Sequence, residues 1–303
     1  MKSALKKHLG SDNKGALLLL MALICVLFTF GTQGLFLNTQ NIRNILVSAS
    51  LNGIIGIGMT FVLITGGIDL SVTGNIIMTS LLVSKMMMSG VGIINGYAIG
   101  KFGMVAFVVT MAMNLITTGY GKLFSGGLTL YGFPEVHGIF CKYLLGIIPG
   151  PVIMMAVVAV IASLILRYTN YGRKLYAVGG NVKAAWMSGI KTSKVIIIAY
   201  IISGFLCGLG AILMTSKLMS ASSTMISNTE MDAIAAAVLG GTSLSGGVGS
   251  VFGTIIGAIT IAMITNGLNL MGVSPFAQEI CKGLIIFVVV AVDAVQKRKM
   301  QEK

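Results

Sequence analysis

Apolar runs of bilayer length follow one another from Gly15 almost to the C-terminus, leaving too little polar surface for a water-soluble fold. Charged residues make up 10% of the 303 residues, where a soluble domain carries about a quarter. Mean hydropathy is +0.95. The runs do not alternate apolar and polar residues, as strands of a membrane barrel would. The predicted fold is therefore all-α: a polytopic transmembrane helical bundle of nine to ten spans, forming a single transmembrane domain over 1–303. The net charge of +13 suits nucleic acid in principle, but the positive residues flank the spans and form no separate basic domain. They read as topology signals and contacts to anionic membrane lipid. Cys25, Cys141, Cys207 and Cys281 lack metal or disulfide spacing and read as packing residues.

One stretch interrupts this pattern, Arg167 to Lys194. It carries Arg167, Arg173, Lys174, Lys183, Lys191 and Lys194 and no acid. Short loops rich in Lys and Arg stay in the cytoplasm, so this stretch fixes the orientation of the other spans. Within it, Asn181 is a suitable N-cap, Val182 to Ser188 tolerate a helix, and Gly189 suits the left-handed position past its end. Two readings stay open from the residues alone: a solvated connector, or a small helix for a partner to push on.

Spans are expected near 15–37, 42–64, 70–88, 104–123, 144–166, 195–215, 231–247, 250–270 and 279–295. A cleaved signal peptide competes for the first, but no small-residue cleavage pattern follows Phe30. The basic start (Lys2, Lys6, Lys7, Lys14) and basic end (Lys297, Arg298, Lys299) place both termini in the cytoplasm. Five crossings would leave the basic stretch outside, so one crossing in the first half is short or absent. The segment 86–100 is its expected place, at ~22 Å against a ~30 Å core. Loops 125–143 and 217–229 are then external. Gly53, Gly56 and Gly58, Gly204 with Gly208, and Gly249, Gly253 and Gly257 mark close helix contacts. Asp69, after Thr65-Gly66-Gly67, caps a broken helix from Leu70 onward or faces a substrate path, since a carboxylate at membrane depth is costly. Ser71 and Asn114 join it as candidate path residues, each equally able to serve as a cap or an interhelical bond. No phosphate-cradling loop, nucleophile–base pair or metal cluster is visible, so neither an enzyme nor a cofactor is expected.

The sequences Leu63-Ile-Thr-Gly-Gly-Ile-Asp-Leu-Ser-Val72, Tyr171 to Ile190, Glu230 to Gly247 and Asn266 to Phe276 closely resemble permease subunits of ribose-type ABC importers. The resemblance runs in order over nearly the whole chain. It implies an inner-membrane homodimer that passes a monosaccharide delivered by a periplasmic binding protein. It also implies a cytoplasmic ATP-binding-cassette ATPase receiving a coupling helix at 180–189, with Gly180, Asn181, Ala184, Ala185, Ser188 and Gly189 as contacts. The chain departs from the family by lacking much of a span between the counterparts of Met88 and Ile93. It also lacks the family's proline and glycine in Met104 to Ala112. The rival readings are an ion-coupled secondary transporter, for which Asp69 is the one strong ion site, an intramembrane enzyme, and a transport-defective paralogue lacking one span.

Overall fold

The computed structural model describes residues 13–82, 90–144, 146–226 and 228–301. The basic N-terminal residues 1–12 and the end of the expected third span, 83–88, lie outside the described residues. The architecture is helical, with two short strand pairs in its loops. In order come α1 (Asn13–Gly31), α2 (Thr39–Ile64), α3 (Val72–Leu82), α4 (Gly90–Gly100), α5 (Ala106–Ser125) and α6 (Gly150–Tyr168). They are followed by α7 (Asn170–Gly180), α8 (Val182–Met187), α9 (Thr192–Leu218), α10 (Thr229–Leu239), α11 (Val251–Leu270) and α12 (Pro275–Gln301).

α2 is the axis of the bundle. From Ile54 to Ile64 it is apolar on nearly every face and buried throughout. Leu51, Ile54, Ile57, Phe61 and Ile64 pack with Met155 and Val158 of α6, Leu175 and Val178 of α7, and Ala199 and Leu206 of α9. Because lipid is as apolar as these side chains, close fit rather than exclusion from water holds such helices together. The clearest close fit was not foreseen. Gly92, Gly96 and Gly100 form a stripe on α4, and a Cβ at Gly96 would stand 2.9 Å from Ile197 Cα of α9. A glycine every fourth residue lets the two backbones touch along the whole of α4.

The all-α helical bundle expected from the sequence is present. Among the described residues, four helices (α2, α6, α9 and α11) are long and apolar enough to cross a membrane by themselves. α10 stops at Leu239, where Gly240 and Gly241 turn the chain, so the span expected at 231–247 is an 11-residue helix. At 1.5 Å per residue it reaches ~16 Å, half a bilayer core. α4, at the place where charge parity called for a short crossing, also has 11 residues. α6 starts later than expected because Tyr143 and Leu144 pair with Pro149 and Ile148 in a hairpin, leaving Pro149 as its N-cap.

The two loops expected on one face do meet. Leu130 and Tyr131 pair antiparallel with Ala221 and Ser220. His137 binds the same region to α9, its Nε2 lying 2.8 Å from Thr215 Oγ1, while Ser216 Oγ donates to the His137 carbonyl at 2.7 Å.

Candidate functional site: a capped surface helix and a polar cavity

At the basic end, the small helix read from the sequence is present as α8, and a second helix, α7, precedes it. Thr169 caps α7 by accepting from Gly172 N at 3.1 Å. Tyr171, Leu175 and Val178, four and three residues apart, then turn one face inward, with Leu175 and Val178 wholly buried. That spacing lay in the sequence beneath the charges. Tyr171 OH donates to Val195 O at 3.1 Å and Tyr176 OH to Gly249 O at 2.8 Å. Burial raises both phenols above the ordinary tyrosine range, so both stay protonated and remain donors.

α8 has the caps that its sequence calls for. Asn181 Oδ1 accepts from Ala184 N at 2.9 Å. At the other end, Gly189 N donates to Trp186 O at 2.9 Å and Ile190 N to Ala185 O at 3.1 Å, the paired bonds of a Schellman motif. That motif needs a left-handed residue, and Gly189 sits at φ +80°. Gly180, Asn181, Ala184, Ser188 and Gly189 are exposed, whereas Ala185 is buried against the core of α7 and α9. The face presented outward therefore includes two large residues absent from the predicted set, Trp186 and Met187, 68% and 73% exposed. Large apolar side chains on a basic surface are the composition of a docking anchor.

Of the three residues expected to line a path, Asp69 and Ser71 are bonded to each other, and Asn114 bonds to the backbone of Gly74. Asp69 is 1% exposed; its Oδ1 accepts from Ser71 N at 3.0 Å and Ser71 Oγ at 2.6 Å, and its Oδ2 from Ser203 Oγ at 2.8 Å. It is not the expected helix cap, because α3 begins at Val72 and the Asp69 bonds close a turn before it. Asn95 of α4 joins the cluster, its Nδ2 donating to Ser71 Oγ at 2.9 Å. Asn114 Oδ1 accepts from Gly74 N at 2.8 Å, tying α5 to the first turn of α3.

The start of α3 meets the start of α10. Thr73 Oγ1 donates to Glu230 Oε2 and accepts from Thr229 N at 3.1 Å. Two broken helices meeting by their N-termini form a site typical of membrane transporters. Beside this junction lies a cavity of about 250 Å³, lined by Asn52, Ile76, Gly210, Thr229, Thr265 and Asn266 among others, with Asp232 and Lys282 in its wall. Asp232 Oδ2 and Lys282 Nζ are 2.9 Å apart. None of Asp69, Ser71 or Asn114 reaches it. The sequence held a partial signal: Thr265, Asn266 and Asn269 are polar positions on one turn of an otherwise apolar span.

Long apolar helices, broken helices meeting at a buried polar junction, and a capped helix set apart on a basic surface define a multi-pass membrane transport protein. The family described as the branched-chain amino acid transport system permease component matches residues 41–290. The chain belongs to that family. It is 42% identical over 277 residues to the ribose import permease protein RbsC of Bacillus subtilis, covering 85% of this chain and 86% of that one. The RbsC of Escherichia coli K12 is 36% identical over 92% of both chains. The xylose transport system permease protein XylH of Haemophilus influenzae is 32% identical over 94% of this chain and 96% of its own. No solved structure matches.

Proposed function

We propose that this chain is the permease subunit of an ATP-binding-cassette importer for a ribose-like monosaccharide. It works as a homodimer in the cell inner membrane, with both termini and α8 in the cytoplasm. A periplasmic sugar-binding protein delivers the solute, and a cytoplasmic ATPase subunit grips α8. The observation that carries the reading is the likeness to two ribose import permeases over most of every chain involved. It is supported by α8, where both ends are fixed by hydrogen bonds and the exposed Trp186 and Met187 offer a partner an apolar hold.

The proposed coupling follows from the contacts. Closure of two ATPase subunits moves α8. Ala185 and the tyrosines of α7 pass that movement to Val195 at the foot of α9 and to Gly249 before α11. Those helices wall the cavity, so its access changes. The chain itself hydrolyses nothing.

The test is uptake of labelled D-ribose into vesicles holding the permease, the ATPase subunit and the binding protein. Uptake is expected to stop with vanadate and to survive an ionophore. Trp186→Glu is expected to lower it by about tenfold or more, a loss of ~1.4 kcal/mol of coupling, with normal amounts of permease in the membrane. Ionophore-sensitive uptake, or full uptake by Trp186→Glu, would overturn the reading.

A further inference from the structure

We propose that the cavity between α2, α9, α10, α11 and α12 is a binding station for a small, neutral, polyhydroxylated solute, held by Asn266 and by the Asp232–Lys282 pair. This deepens the transport reading above and rests on it. The strongest observation is an unmet acceptor. Asn266 Oδ1 is buried at the cavity wall with no hydrogen-bond partner among the described residues. A buried acceptor left without a donor is costly, so a turn of the Asn266 amide that brings it to a guest hydroxyl is favoured.

The rest of the wall fits the same guest. Asn52, Thr265 and Asn269 add amide and hydroxyl groups from two helices. Asp232 and Lys282 are partly open, 15% and 27% exposed, and their charges cancel. A hydroxyl both donates and accepts, so one sugar can satisfy the carboxylate and the ammonium together. A phosphate ester would bring its charge against Asp232. Lys217, the third charged residue of the wall, is exposed and remains solvated. The volume of about 250 Å³ falls just below the ~300–1,000 Å³ of sites for drug-sized ligands, which suits a smaller molecule. The pair also joins α10 to α12, so a guest that engages it meets two helices at once.

The experiment is saturation-transfer NMR of D-ribose on the full permease in lipid nanodiscs, beside ribose uptake by the complete complex. Wild type is expected to give a signal that ribitol displaces and ribose 5-phosphate does not. Asn266→Leu, and separately Asn52→Leu on the facing helix, are expected to weaken both binding and uptake by about tenfold. ATPase copurification should be unchanged, which separates a lost site from a misfolded chain. Wild-type binding by both variants would overturn the station, and displacement by the phosphate ester alone would overturn the neutral class. Ribose binding without vanadate-sensitive uptake would sink the transport reading and leave the station standing.

Discussion

The two ends of the molecule are built on opposite principles. At the basic end, the start and finish of α8 are secured by side-chain and backbone bonds, and two buried phenols pin α7 to the spans. Around the cavity, a broken helix, a half-open ion pair and a buried amide oxygen without a donor lie together. The first end is made to hold its shape under load. The second is made to change partners. The coupling proposed above needs both, since force applied at a soft handle would be lost before it reached the cavity.

The largest test of that contrast is Ala185→Glu beside Trp186→Glu, adjacent substitutions on one helix. The first places a carboxylate among Leu175, Val178 and Val195, where an unpaired buried charge costs ~3–5 kcal/mol. Thermal unfolding should shift strongly for it and hardly at all for the exposed neighbour; equal shifts would deny that α8 has an inner and an outer face. Asn181→Ala comes next. Loss of the cap should cost ~1 kcal/mol and speed amide exchange in 182–187 without moving the spans. Unchanged exchange would mean the cap contributes nothing to the stiffness of that end.

The smallest effect belongs to His137 on the far face. Partial burial holds its pKa below the usual value of 6.5, so the unfolded loop binds a proton more readily than the folded one. Its stabilising contact is complete above that pH and weakens as pH falls through it. Exchange in 135–141, corrected for intrinsic rates, should quicken from pH 7.5 to pH 5, and His137→Gln should flatten the trend.

Much of this organisation was legible in advance, and the reason is local. Charge beside apolar runs marks which segments lie in lipid, and the caps of α8 are written within nine residues, Asn181 to Gly189. The burial of Asp69 could not be read, because its third ligand, Ser203, arrives from 134 positions away. Nor could the cavity, where Lys282 meets Asp232 across 50 positions. Helix α7 was masked by its own composition: Arg173 and Lys174 drew attention to charge, while Leu175 and Val178 carried the inward face. The break between α2 and α3 was legible in Gly66 and Gly67, since paired glycines weaken a helix even between segments that are apolar on every side.

The small ribbon of Leu130–Tyr131 against Ser220–Ala221 has a mechanical meaning of its own. It laces a strap from the first half of the chain to one from the second, using only two residues on each side. A ribbon so brief is marginal by itself. Its parting would therefore cost little, while His137 would still hold the first strap to α9.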